Sequence, residues 1–129
     1  MGVLTEPEDT YWYVKEYNSL DEARQCFKAY AEAGHPVLLF ESTAYPDTWY
    51  VASYCTDEEH LKIRDKIPPS VEEYCGVERL KELYHLAILI DAENFGTKNI
   101  DEIIFLSLSM QDKWHIRFSH RPHSYKYRW

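Results

Sequence analysis

A helix-start signal occurs three times along this chain, and it divides the sequence into short segments. In each copy a Ser or Thr stands three residues before a Glu, and the two side chains accept hydrogen bonds from each other's backbone N–H groups at the start of a helix. The three copies pair Ser19 with Glu22, Thr56 with Glu59, and Ser70 with Glu73. We therefore predict three helices, separated by short apolar segments.

The first of these helices has the most complete set of signals. After Ser19, apolar residues follow at the spacing of one helix face. They are Leu20, Ala23, Phe27 and Tyr30. Gly34 suits the left-handed residue that follows a helix, and Pro36 prevents the helix from resuming. The signals predict a helix from residue 20 to the residues just before Gly34.

The helix that opens at Ser70 is less uniform. Leu80 and Tyr84 continue its apolar face, but Gly76 lies inside it. A glycine in a helix interior costs about 1 kcal/mol relative to alanine. A break of this helix at Gly76 therefore remains open.

Four short segments have the composition of strands, at residues 11–17, 36–41, 48–55 and 86–90. Within 48–55 the side chains alternate, with Trp49 and Val51 on one side and Tyr50 and Ala52 on the other. The turn residues at 42–47 join the second and third segments. We expect these two segments to form an antiparallel hairpin.

A second alternating pattern near the C-terminus predicts a final hairpin. Residues 103–110 alternate apolar side chains with polar ones, and residues 113–119 do so again after a tight turn at Gln111 and Asp112. Two strands at this spacing have one apolar and one polar face. The outer face would carry Ser107, Ser109, Lys113, His115 and Arg117.

Together these segments predict an α+β domain with the element order β-α-β-β-α-α-β-β-β. We expect a mainly antiparallel sheet of five to six strands, with about three helices on one side of it. A length of 129 residues fits one domain. We place this domain at residues 11–119, between a flexible N-terminus at 1–10 and a basic, aromatic C-terminal tail at 120–129.

Acidic and basic residues are unevenly distributed along the chain. All 22 Asp and Glu residues precede position 113, whereas residues 113–129 contain five Lys and Arg and three His. The net charge of −8 therefore combines an acidic body with a basic end. Opposed fields of this kind steer charged partners, or hold a chain segment onto its own surface.

We interpret the acidic body as a docking surface for a basic protein. The acid is concentrated on the predicted central helices, and eleven Tyr supply large amphipathic side chains of the kind that interfaces favour. The predicted function is a protein-binding module, an inhibitor or immunity-type neutraliser of a basic nucleic-acid-acting enzyme. The residues predicted to contact the partner are Asp57, Glu58, Glu59, Asp65, Glu72 and Glu73, with Tyr45, Trp49 and Tyr50 beside them.

Two other functions remain open. Lys113, His115 and Arg117 recur at every second residue, so a strand would display them together as an anion-binding strip, or only as the solvated side of an edge hairpin. With the bases and rings at 120–129, this strip suits RNA or a nucleotide. The third function is a small enzyme or ligand-sensing domain, with a pocket lined by Tyr and His.

No catalytic motif is present in the sequence, so we predict no enzymatic activity, no cofactor and no metal. Residues 90–94 (IDAEN) resemble the strand end of NYN-type nucleases, and the resemblance implies a metal-binding carboxylate loop. In that family the motif ends the first strand, whereas only 35 residues follow Asn94 here. We expect an ordinary acidic loop, and we expect His60 and His85 to be half-buried or at the surface.

The cysteines and the absence of long apolar segments indicate where the protein resides. Cys26, Cys55 and Cys75 have neither metal-binding nor redox spacing, which is typical of reduced thiols. No apolar run approaches the roughly 20 residues that span a bilayer. We expect a cytoplasmic protein with no membrane partner, and self-association as a homodimer remains open.

Overall fold

Five strands and four helices follow one another in a computed structural model, which describes residues 10–75 and 77–117. The strands are β1 (Thr10–Tyr17), β2 (Val37–Ser42), β3 (Trp49–Thr56), β4 (Val71–Cys75) and β5 (Ala87–Glu93). The helices are α1 (Leu20–Glu32), α2 (Asp57–Arg64), α3 (Val77–Leu86) and α4 (Ile100–Arg117). Their order along the chain is β1-α1-β2-β3-α2-β4-α3-β5-α4.

The strands form one sheet in the order β4-β1-β3-β2-β5, in which neighbouring strands are antiparallel. β4 and β5 are therefore the two edges. The α+β class, the antiparallel sheet and the number of strands are confirmed, and so is the hairpin of β2 and β3. The described part of the chain contains four helices, where about three were predicted.

Alternation along the inner strands gives the sheet two apolar faces. Trp12 and Val14 of β1 point to one face, where they pack with Leu80 of α3 and Ile103 of α4. Tyr13 points to the other face. Each apolar face of the sheet must therefore be shielded from water by its own set of helices.

The second face is covered by α1 and α2, which contribute Phe27 and Ile63. The expectation that the helices lie on one side of the sheet is wrong. Residues 37–40 of β2 are fully buried, and a strand that is apolar on both sides requires packing on both sides.

The predicted limits of α1 are confirmed. Ser19 accepts a hydrogen bond from the Glu22 N–H at 3.3 Å, which caps the start of the helix. Gly34 has a φ of +89°, a conformation that glycine adopts without a steric penalty. The His35 N–H then bonds to the Tyr30 carbonyl at 3.1 Å and closes the helix.

Of the two remaining helix-start signals, one is confirmed and one is wrong. Thr56 and Glu59 form the full capping box of α2. The segment after Ser70 is instead the edge strand β4, and α3 begins only at Val77. Pairing with β1 satisfies the backbone groups along one side of β4 and places Glu72 opposite Lys15. These tertiary contacts outweigh the local helix signal.

The largest correction concerns residues 100–117, which form α4 instead of two strands of a hairpin. Asn99 accepts the Glu102 N–H at 3.0 Å and so caps the helix. Ser107 donates to the Ile103 carbonyl at 2.8 Å. The serine hydroxyls that produced the alternating pattern are thus satisfied within a helix.

The helical conformation also corrects the predicted anion-binding strip. Lys113, His115 and Arg117 lie in the last turns of α4. Because this segment is helical, the strand that was predicted to display these three residues together is not formed. The tail at 120–129 and residues 1–9 lie outside the described residues. None of the helices described combines the length and the apolar composition needed to cross a membrane.

Candidate functional site

The acidic residues predicted on α2 are only partly available at the surface. Asp57, Glu58 and Asp65 are exposed, whereas Glu59 is half-buried in the capping box. The Asp57 carboxylate accepts a hydrogen bond from the Tyr13 hydroxyl. The exposed basic side chains of the same segment are Lys62, Arg64 and Lys66. The field of this surface is therefore mixed rather than strongly acidic.

The two remaining carboxylates, Glu72 and Glu73, point to opposite sides of β4. Glu73 is half-buried and lies 3.3 Å from the Nε of Arg79. Glu72 is buried, so it is not part of any outer surface. Its predicted role in docking is incompatible with this position.

The sheet separates the predicted aromatic contact residues. Tyr45 is exposed in the turn between β2 and β3, and Trp49 is half-buried against the core beneath α1. Tyr50 is buried on the other face, with the Arg79 guanidinium 5.7 Å from the centre of its ring. The nine predicted contact residues thus do not form one continuous surface.

Three ionisable side chains meet in the interior instead, from β1, α2 and β4. The Lys15 ammonium lies 3.4 Å from Oε2 of Glu72 and 3.5 Å from Nδ1 of His60. Nε2 of His60 lies 3.6 Å from Oε1 of Glu72. Lys15 is fully buried, and His60 and Glu72 are 3% and 6% exposed. The expectation that His60 is half-buried or at the surface is wrong.

Aromatic rings and one arginine enclose this buried cluster of Lys15, His60 and Glu72. The Tyr13 ring stacks on the His60 imidazole, with centroids 4.0 Å apart. The Tyr30 hydroxyl lies 3.2 Å from Nδ1 of His60, and the Lys15 ammonium lies 5.4 Å from the Tyr30 ring centre. On the outer side, Nε of Arg64 lies 3.4 Å from Glu72.

Burial and charge lower the pKa values of all three groups. Desolvation lowers the pKa of Lys15, although the Glu72 carboxylate opposes the shift. Desolvation also lowers the pKa of His60, against the effect of the same carboxylate. Desolvation alone would raise the pKa of Glu72, but its contacts with His60, Lys15 and Arg64 outweigh that effect and lower it.

The buried cluster is enclosed by protein. Its role is structural, since the contacts among Lys15, His60 and Glu72 connect α2 and the edge strand β4 to β1. One feature of the sequence pointed to this buried cluster. Lys15 alternates with Tyr13 and Tyr17 on the apolar face of β1. A lysine in such a position requires a buried counter-charge.

A second candidate site lies at the β5 edge of the sheet. Eight large apolar side chains are exposed among the described residues, and five of them fall between positions 86 and 105. We define the β5–α4 surface by these five, which are Leu86 at the end of α3, Ile88 and Ile90 of β5, and Ile100 and Phe105 of α4. Exposed apolar side chains are candidates for contact with a partner where they lie close together.

The arrangement of the helices explains why these side chains are exposed. Ile88 lies opposite Glu41 of β2, on the face of the sheet that α1 and α2 cover. Those two helices pack over β1, β2 and β3, so β5 extends beyond them. A bulge at Ile90 interrupts the pairing of β5 with β2. Leu89, in contrast, packs into the opposite core under α3 and α4.

The charged side chains after β5 bond to the protein itself. Asp91 lies 3.8 Å from Arg24, and Glu93 lies 3.4 Å from Lys98. The Asn94 amide donates to two carbonyls at the end of α1, at 2.9 and 3.0 Å. Within the part of the chain that the structure describes, no three His, Cys, Asp or Glu side chains are grouped as a metal site requires.

Comparison of this chain with protein-family models, with curated proteins and with solved structures finds no match. The buried cluster is closed to reactants, whereas the β5–α4 surface is open and apolar.

Proposed function

We propose that this protein is a protein-binding module that neutralises a basic, nucleic-acid-acting enzyme by docking the β5–α4 surface against it. The observation that carries the proposal is that Ile88 and Ile90 of the edge strand β5, and Ile100 and Phe105 of α4, leave apolar side chains exposed to water. We therefore assign the proposed docking site to β5 and α4 rather than to the α2 surface predicted from the sequence.

The apolar composition supports binding to a macromolecule. Ile88 is 55% exposed and Phe105 is 69% exposed, so each leaves a large apolar area in water. Burying apolar area contributes roughly 25 cal/mol per Å², which makes such side chains effective contact residues. Interface energy is typically concentrated in a few central apolar or aromatic residues.

The charges around the β5–α4 surface support a basic partner. The carboxylates beside its apolar residues are Glu41, Asp91, Glu93, Asp101 and Glu102. Two cations, Arg24 and Lys98, lie among them. Carboxylates outnumber these two cations along β5 and the first turn of α4, in keeping with the acidic composition of the chain. Such a field speeds encounter with a basic partner and disfavours acidic ones.

The test is comparative affinity capture from lysate of the cell that makes the protein. Three baits are used: the wild type, the double variant Ile88→Glu/Phe105→Glu, and the control Leu61→Glu. Leu61 is 57% exposed on α2, so the control adds the same charge at an equally exposed apolar residue away from β5. Captured proteins are identified by mass spectrometry, and captured RNA is sequenced.

We expect one basic protein on the wild-type and Leu61→Glu baits and at least tenfold less of it on the double variant. Its cleavage of RNA or DNA should stop when equimolar wild-type protein is added. Capture of RNA without protein, or a captured protein that is retained by the double variant, overturns the proposal. So does a partner whose activity on nucleic acid is unaffected.

A further inference from the structure

The α2–β4 segment, residues 57–75, is attached to the rest of the domain largely through ionisable side chains. It consists of α2, β4 and the residues between them, and β4 pairs with β1 as an edge strand. Its described buried side chains are His60, Ile63 and Glu72, of which two can carry charge. Segments with little buried apolar surface open more easily than the core of a domain. The attachment of this segment therefore depends on the charges of the buried cluster.

We propose that the α2–β4 segment is a proton-operated flap, which leaves the sheet when His60 is protonated because the added proton faces the Lys15 ammonium. The other four strands stay folded. Opening separates His60 and Glu72, which belong to the flap, from Lys15 of β1, and water then solvates all three charges. Flap opening and the proposed docking are independent, because β4 and β5 are opposite edges of the sheet.

The two ring nitrogens of His60 face different partners. Nδ1 lies 3.5 Å from the Lys15 ammonium and 3.2 Å from the Tyr30 hydroxyl. An ammonium can only donate a hydrogen bond, so Nδ1 is the acceptor and carries no proton. The proton of the neutral ring is therefore on Nε2, which lies 3.6 Å from Oε1 of Glu72. The closed cluster thus accommodates a neutral imidazole, stacked on the Tyr13 ring.

Protonation of His60 would bring two cations together in the interior. The new proton on Nδ1 would point at the Lys15 ammonium, 3.5 Å away. Glu72 cannot neutralise both cations, since its single carboxylate also pairs with Arg64 at 3.4 Å. An uncompensated charge is costly in the interior, whereas water solvates it. Protonation therefore favours the state in which the flap is open.

Three charged side chains act on His60, and each comes from a different element. They are Lys15 on β1, Arg64 on α2 and Glu72 on β4. The other titratable groups of this core, from β1, α1 and β3, are uncharged at neutral pH, namely Tyr13, Tyr17, Tyr30, Cys26 and Cys55. Burial lowers the pKa of the imidazole, and the two cations add to this effect, which outweighs the opposing contribution of the carboxylate. The closed flap therefore holds the imidazole in its neutral form.

The size of the effect follows from proton linkage. His60 is neutral when the flap is closed and has the ordinary histidine pKa of about 6.5 when it is open, so acid stabilises the open state alone. The open population then rises about tenfold between about pH 7.5 and about pH 5.5. His60 accounts for this rise, because Glu72, whose pKa is lowered, remains ionised over that range.

The test is hydrogen exchange of the full-length protein, followed by mass spectrometry at about pH 7.5 and about pH 5.5. Dividing by the intrinsic exchange rate at each pH gives the opening constant of each peptide. We expect peptides within residues 57–75 to have opening constants at least about tenfold larger than peptides from β2 at both pH values. The opening constant of residues 57–75 should rise about tenfold in acid. β2 is the reference because it lies between β3 and β5, away from the flap.

Three variants identify the groups responsible. His60→Gln removes the titrating imidazole, and Lys15→Met removes the cation that faces Nδ1. In both variants the opening constant of residues 57–75 should rise by less than about twofold in acid. The matched control His85→Gln replaces an exposed histidine at the end of α3, and it should retain the rise of about tenfold.

Folding of each variant is checked by circular dichroism, and the comparison of the two segments in the wild type needs no variant. Equal opening constants for residues 57–75 and β2 would show that the segment opens only when the whole domain unfolds, and would overturn the inference. An opening constant that does not rise in acid would also overturn it. So would a rise that persists in His60→Gln or in Lys15→Met.

Discussion

Lys15 and Glu72 lie directly opposite each other on the neighbouring strands β1 and β4, and the ammonium of one is 3.4 Å from the carboxylate of the other. Both side chains are buried, so each charge depends on the other for compensation. The pair links the short edge strand β4 to the sheet. It also explains how a segment with a helix-start signal is held in an extended conformation.

Replacing Glu72 with Gln should lower the free energy of unfolding by about 3 kcal/mol, because it leaves the buried Lys15 ammonium without its counter-charge. Urea unfolding measures the change. The control Glu58→Gln alters an exposed carboxylate on α2, and it should change stability by less than about 0.5 kcal/mol. The apolar double variant Lys15→Met/Glu72→Leu should be more stable than Glu72→Gln. If Glu72→Gln costs no more than the control, the buried pair does not stabilise β4.

The protein should lose stability as the pH is lowered through the acidic range. His60 and Glu72 both have pKa values below their ordinary ones in the folded state. The unfolded chain therefore binds more protons at these sites, so stability falls below the ordinary histidine pKa of about 6.5 and falls again as Glu72 is protonated. Urea unfolding at a series of pH values measures this slope.

The contribution of His60 to that slope can be isolated by substitution. His60→Gln should flatten the pH dependence below about pH 6.5, whatever its effect on stability at neutral pH. The lowered pKa of Lys15 acts in the same direction, with stability rising as the pH rises toward the ordinary lysine value. An unchanged slope in His60→Gln would show that the imidazole has the same pKa in the folded and unfolded states.

Asn99→Ala should destabilise the protein by about 1 kcal/mol, because the side chain caps α4 through the Glu102 N–H. Asn18→Ala is the matched control, since the Asn18 amide makes an exposed hydrogen bond to the Asp47 carbonyl in a loop. It should cost less than about 0.5 kcal/mol. Thermal unfolding followed by circular dichroism measures both. Equal effects would contradict a helix that begins at Ile100.

Cys26 and Cys55 should react slowly with thiol reagents in the folded protein. Desolvation raises the pKa of Cys26 to about 11 and that of Cys55 to about 12, so little thiolate forms at about pH 8. The experiment uses the Cys75→Ser background and counts labelled thiols with an absorbance assay. Both thiols should react rapidly once denaturant is added. Rapid labelling without denaturant would contradict the enclosed core beneath α1.

Elements whose signals are local could be predicted from the sequence. The N-terminal caps of α1 and α2, the end of α1 at Gly34, and the alternation of β1 and β3 all depend on neighbouring residues. These signals can be recognised without knowledge of any distant contact. The apolar run of β5 was likewise recognised, although its position at the edge of the sheet was not.

The sequence pattern was ambiguous where a polar side chain could either face solvent from a strand or form a hydrogen bond within a helix. Serines between apolar residues suggested strands at 103–110, but Ser107 bonds to the preceding turn and lies 2.6 Å from the Tyr84 hydroxyl of α3. Asn99 with Glu102 was a usable cap signal that the alternation obscured. Packing of α4 against the apolar face of the sheet favours the helix over the predicted hairpin.

The sequence by itself determined the α+β class, the antiparallel hairpin of β2 and β3, and the acidic character of the body, because each follows from local pattern or composition. Only the tertiary structure decided that Glu72 is an internal counter-ion for Lys15 and that Ile88, Ile90 and Ile100 remain exposed. The physical reason is that burial depends on which strand lies at an edge and how far the helices extend over it. Both are set by contacts between residues that are distant in the chain.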